Sequence, residues 1–103
     1  MAETHVDRIH DEPVMLDIGH GIGALVLYTG AELRGQEIEV SLKGHDARRI
    51  HTAIHERRVK GRAIFAGVYP ALPVGDYNIW RDGPEPIGTV TIGDGQVAEV
   101  DWR

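Results

Sequence analysis

The chain of 103 residues contains no cysteine. That excludes disulfide staples and thiolate metal sites, and it is the usage that a reducing cytoplasm permits, so a cytoplasmic location is expected. Serine occurs once, at Ser41, inside the alternating run EVSLKG. A serine hydrolase needs its nucleophile in a G-x-S-x-G turn, and no such turn is present. The zinc-protease order HExxH is also missing: in the run from His51 to Glu56 the glutamate follows the second histidine instead of the first. These gaps point away from an enzyme. The longest apolar run, Ile22 to Tyr28, is far shorter than the ~20 residues that span a bilayer as a helix. The N-terminal stretch MAETHVDRIHDEP is charged and lacks the apolar centre of a signal peptide. A net charge of −5 argues against a nucleic-acid partner.

The length fits one domain, with about 65% of the unfolded surface available for burial. Residues 1–13 have no period and read as an arm, leaving 14–103 as the folded unit. Strand patterns then recur. Val14 to Ile18 alternates, as does Glu37 to Leu42, with Ile38, Val40 and Leu42 inward and Glu37, Glu39 and Ser41 outward. Between them lies Gly19-His20-Gly21-Ile22-Gly23. A phosphate loop of that kind needs a helix behind it, whereas the run that follows, ALVLYT, is strand-like, so a glycine-rich hairpin or bulge is expected. Leu33 is expected to cap the core. Residues 50–59 fit one strand, with Ile50, Thr52 and Ile54 on one face and His51, Ala53, His55 and Arg57 on the other. A helix is the competing pattern there.

Lys60-Gly61 reads as a two-residue turn into Arg62–Tyr69, a strand apolar on both faces and therefore covered on both. Pairing is expected to stop at Pro70, which has no amide proton to donate. Pro73 and Gly75 form the next turn, and Tyr77–Trp80 the next strand. Ile87–Ile92 and Gln96–Trp102 are two further strands joined by Gly93-Asp94-Gly95, a hairpin signal. About seven or eight short strands with regular turns predict an all-β, two-sheet antiparallel sandwich.

The string Ala71-Leu72-Pro73-Val74-Gly75-Asp76-Tyr77-Asn78-Ile79 resembles the LPxGxYxh signature (h apolar) of transthyretin-like and Cna-B-like β-sandwich domains. Gly61-Arg62-Ala63-Ile64-Phe65 matches the strand that precedes it there, and Thr89–Ile92 with Gln96–Val100 matches the closing strands. The likeness covers the C-terminal half and implies the fold; Lys60 stands where those families carry an acid. The chain also resembles short actinobacterial proteins, some with a phospholipase label, for which no nucleophile is readable here. Thr4-His5-Val6-Asp7 is a shortened echo of the THVLD motif of transthyretin-related hydroxyisourate hydrolases. Their YRGS motif has no counterpart.

Six histidines, all within the first 55 residues, carry most of the chemical content. Neutral imidazole binds zinc and copper. At ~3.3 Å per residue, His51 and His55 on one strand stand about 13 Å apart, so a zinc or copper site needs partners among His20, His45, His5 and His10; otherwise there is no cofactor. Seven of the eleven basic residues fall between Lys43 and Arg62 against two acids, making Arg48, Arg49, Arg57, Arg58 and Lys60 a candidate patch for an anion or acidic partner. Glu37 and Glu39 are expected to pair with Arg57, Arg58 or Lys60. Trp80 points away from Tyr77 and Ile79, offering an aromatic face for an interface. Together these features predict a non-enzymatic binding or accessory module that associates with itself or another protein, with histidine-mediated metal binding as the alternative.

Overall fold

The computed structural model describes residues 18–103; the N-terminal arm, the Val14–Met15–Leu16–Asp17 pattern, His5 and His10 lie outside them. Eight strands follow in order: β1 (Ile22–Thr29), β2 (Glu37–Leu42), β3 (Ile50–Ala53), β4 (His55–Val59), β5 (Arg62–Pro73), β6 (Gly75–Trp80), β7 (Gly88–Ile92) and β8 (Val97–Asp101). They form two four-stranded sheets, ordered β4-β5-β1-β8 and β3-β2-β6-β7. The all-β sandwich expected from the alternation is what forms. Three hairpins, β2–β3, β4–β5 and β6–β7, are laid alternately in the two sheets. Among the described residues the one parallel pair is β1 with β8.

Side-chain alternation explains the layers. Leu25 and Leu27 of β1, Ile38 and Val40 of β2, Tyr69 and Leu72 of β5, and Tyr77 and Ile79 of β6 meet between the sheets, each at most 2% exposed. Leu33, in a short 3-10 turn at Ala31–Leu33, closes one side of this core as expected. The intervening residues of β1, Val26 and Tyr28, join Val59, Ile64 and Ala66 in a second buried cluster on the other face of the first sheet. Ile64 and Ala66 on this face and Tyr69 between the sheets bury β5 on both faces, as expected for the Arg62–Tyr69 strand. Tyr28 is held there by its hydroxyl, which donates to Glu99 at 2.8 Å, and by Arg103 stacked 4.7 Å from its ring centroid.

Four expectations change. First, 50–59 is extended, but it is two strands in different sheets. The backbone of Ile54 exchanges hydrogen bonds with Gly35 and Gln36, both 2.9 Å, and its buried side chain enters the core. The chain then crosses to pair with β5. Second, β5 runs past Pro70. The β1–β5 register shifts between Gly23 and Leu25, so Pro70 and Ala71 fall in a bulge, where a missing amide proton costs no ladder bond. Third, Gly93–Gly95 does not close a hairpin. It carries the chain from β7 in one sheet to β8 in the other, and its amides and carbonyls dock on β1 instead: Gly95 N–H donates to Ile22 O and Ala24 N–H to Gln96 O, both 2.9 Å. Fourth, Ser41 is fully buried although its position faces outward.

The two other turns behave as read. Lys60 (φ 54°) and Gly61 (φ 79°) are both left-handed, the requirement of a two-residue I′ hairpin. Gly19 and Ile22 exchange backbone bonds at 2.7 and 3.1 Å around His20 and Gly21, a tight loop that leads into a strand and not into a helix.

Tyr69 gives this core a measurable signature. Its hydroxyl donates to Ile38 O at 2.5 Å, tying the two sheets together. Burial, followed by the nearby Glu39 charge, pushes its pKa well above the usual tyrosine range, against a smaller opposing effect of the Thr52 backbone. Burial raises that of Tyr77 as well. The folded state therefore keeps protons that the unfolded state releases near pH 10, and stability is complete below that pH and falls as pH rises beyond it. Tyr69→Phe is expected to shallow this alkaline decline, with Tyr77 supplying the remainder, while costing about 1 kcal/mol at neutral pH for the lost hydrogen bond. Urea unfolding at pH 8 and pH 11 measures both effects; an unchanged alkaline slope would refute the assignment.

Candidate functional site

The loop between β2 and β3 is built from two tight turns. His45 N–H donates to Leu42 O and Arg48 N–H to His45 O, both 2.9 Å, and Gly44 takes the left-handed φ of 88° that the first turn requires. Lys43 N–H, bonded to Asp76 O at 2.9 Å, ties the loop to β6. The loop then folds over the outer face of the second sheet. Asn78 Nδ2 donates to Asp46 Oδ1 at 3.4 Å, Arg49 pairs with Glu39 at 3.1 Å, and the Arg49 guanidinium lies 3.8 Å from the Trp80 ring centroid. Under this cover Trp80 is only 4% exposed. Its indole N–H donates to the Ser41 hydroxyl at 2.9 Å. The outward aromatic face expected of Trp80 is therefore not available, and Trp102 packs half-buried against the core.

Beside this loop lies an open cleft of about 290 Å³, lined by Leu42, His45, Arg48, Ile50, Pro73 and Tyr77. Its walls are fixed. Tyr77 OH donates to Pro73 O at 2.6 Å, and Val74 N–H to Gly21 O at 3.0 Å. Ile50 faces the core side of β3 by register, yet at the end of the sheet it remains 44% exposed, and Val74 in the adjoining turn is 43% exposed. Arg48 has no carboxylate or other side-chain partner among the described residues. Arg49, its neighbour, is fully engaged. A larger cavity, about 390 Å³, opens at the opposite end of the sandwich between Thr29, Glu32, Phe65 and Trp102. The cation on its rim, Arg103, is already paired with Asp101 at 2.8 Å.

The predicted basic patch is divided by the fold. Arg48 and Arg49 belong to the loop on the second sheet. Arg57, in β4, stands opposite Ile64 on the outer face of the first sheet, and its Nε is buried with no hydrogen bond among the described residues. Arg58 leans toward Glu56 (3.9 Å) and Gly61 O (3.4 Å). Lys60 occupies the β4–β5 turn. No single small anion can meet all five.

The histidines are dispersed in the same way. His20 is exposed in the glycine loop and His45 lines the cleft. His51 lies beside Glu37, Nδ1 to Oε2 3.9 Å, on the outer face of the second sheet, and His55 sits in the first sheet opposite Ala66. The expectation that His51 and His55 share a sheet face is corrected by the crossing at Ile54. Among the described residues no group of three or more histidines, aspartates or glutamates is close enough to hold a metal ion. Glu37 and Glu39 pair with His51 and Arg49, not with Arg57, Arg58 or Lys60, because those cations belong to the other sheet or its turn.

Sequence reasoning found Arg48 and His45 but missed the apolar half of the cleft. The available signal was Ile50, an apolar residue placed directly after two arginines at the start of a strand, close in the fold to the Pro73–Val74 turn.

No protein-family model matches the chain, and no curated protein does. Among solved structures it is similar to a leucine-rich repeat protein from Bacteroides thetaiotaomicron, at 14% identity and a TM-score of 0.49 over 80% of this chain. The match spans 12% of that longer chain. The sandwich assignment rests on the strand pairing itself.

Proposed function

We propose that the chain is a non-enzymatic binding module of transthyretin-like or Cna-B-like kinship, which takes its ligand in the cleft at Leu42, Arg48, Ile50 and Tyr77. The observation that carries this reading is the coincidence of exposed apolar surface at Ile50 and Val74 with an unneutralised guanidinium at Arg48. A rigid concave site with an apolar floor and few polar groups is the common form of a ligand site. Edge strands β3 and β7 add exposed Ile50 and the neighbouring Ile87, 48% exposed, which supports self-association through a sheet edge.

A fragment screen by amide chemical-shift mapping tests the reading. Shifts are expected to cluster at residues 42, 45, 48, 50, 74 and 77. Shifts confined to the cavity at Thr29 and Trp102, or none, would overturn it. Light scattering tests the self-association separately; a monomer at millimolar concentration removes that part.

A further inference from the structure

Resting on the binding-module reading, we infer that the cleft is a site for a small organic monocarboxylate with an apolar body. The argument begins with Arg48. Its guanidinium is permanently charged and presents a planar fork that matches a carboxylate in bidentate fashion. The neighbouring acids face elsewhere: Asp46 toward Asn78 and Asp76 toward Thr91, whose hydroxyl donates to it at 2.6 Å. One uncompensated cation calls for one anionic group. The imidazole of His45, on the same rim, offers a second hydrogen-bonding group.

The rest of the ligand must be apolar. Leu42, Ile50, Pro73 and the ring of Tyr77 present hydrocarbon, and the Tyr77 hydroxyl is already committed to Pro73 O. A volume of about 290 Å³ is at the small end of ligand sites and suits a body on the order of a dozen non-hydrogen atoms. Polyanions are disfavoured because the protein's own net charge of −5 opposes their approach; Arg49 is paired with Glu39, and Arg57, Arg58 and Lys60 belong to the other sheet or its turn. The walls are tied by Tyr77–Pro73, Val74–Gly21 and Lys43–Asp76 bonds, so binding needs no rearrangement of the backbone.

The test uses 4-phenylbutyrate and its primary amide as probes of the untagged chain, followed by amide chemical shifts at low and moderate salt. The acid is expected to shift residues 42–50 and 73–77 with a dissociation constant on the order of 1 mM, and the amide to bind about tenfold more weakly. Arg48→Gln is expected to weaken the acid about tenfold and leave the amide unchanged, whereas Arg57→Gln, on the far sheet, changes neither. Equal affinity for acid and amide would overturn the carboxylate assignment while leaving an apolar binding cleft in place. Displacement of the acid by equimolar inorganic phosphate or chloride would overturn it as well. Absence of any shift with either probe would overturn the inference and, if the fragment screen is also silent there, the binding-module reading with it.

Discussion

Gly23→Ala is expected to lower the midpoint of thermal unfolding by roughly 10–20 °C, corresponding to about 2–3 kcal/mol in a domain of this size. A methyl group at this position would stand 2.3 Å from the Gly93 carbonyl oxygen, 2.7 Å from Ile92 Cγ2 and 2.9 Å from the Gln96 carbonyl oxygen. Two of those three atoms are backbone, so no rotamer change relieves the clash. The crossing from β7 to β8 is fastened to β1 at this point by the Gly95–Ile22 and Ala24–Gln96 bonds, and a retreat of the loop would break them. Gly88→Ala is the comparison. There the added methyl meets only Ile79 Cδ1 at 3.8 Å, an ordinary contact, and the change is expected to fall within about 0.5 kcal/mol or to stabilise slightly by restricting the unfolded chain. Calorimetry of both variants decides the matter; equal melting points for the two would show that the close approach at Gly23 is not present in solution.

Trp80→Ala is expected to cost about 3–5 kcal/mol, a large share of the roughly 5–15 kcal/mol that holds a domain together. The ring is buried between the sheet and the β2–β3 loop, and its removal also strips Ser41 of its hydrogen-bond donor and Arg49 of its stacking surface. The parts can be separated. Arg49→Ala loses the cation–π contact and the aliphatic cover, about 1 kcal/mol. Ser41→Ala leaves a buried indole N–H without an acceptor, about 1–3 kcal/mol. Because the three residues touch, their effects should not add. Urea midpoints for the single and double variants measure this. A Trp80→Ala variant within 1 kcal/mol of the parent would mean that the ring lies in solvent.

What the sequence disclosed, and what it hid, divides along physical lines. The period-two runs EIEVSL and AIFAGVY placed Ile38, Val40, Phe65 and Tyr69 correctly, because alternation is a local property and survives any strand order. The Lys60-Gly61 turn was legible for the same reason: its positive φ angles are a property of two residues. The sheet to which each strand belongs is not local. Alternation continues smoothly through Ile54, so nothing in the run from Ile50 to Val59 marks the change of sheet; the bonds to Gly35 and Gln36 set it. Gly93-Asp94-Gly95 carries the composition of a hairpin but the geometry of a crossing, since the tight approach to Gly23 is made with a distant segment. Ser41 and Trp80 read as outward and exposed because the cover over them is a loop, and loops have no period. The candidate cleft was half visible for the same reason: its charges belong to one loop, its apolar floor to four separate strands.

The parallel partnership of β1 with β8 has a kinetic consequence. It joins Ala24 to Val97 and Tyr28 to Asp101, so the first sheet acquires its fourth member only after β8 has been synthesised and brought back past all the intervening strands. Hairpins β2–β3, β4–β5 and β6–β7 can zip from neighbouring residues, but that last edge waits on a search over long distances, the kind of contact that slows collapse to milliseconds or longer. During that interval β1 presents a bare apolar margin, and the nascent protein is most exposed to mispairing with its own copies.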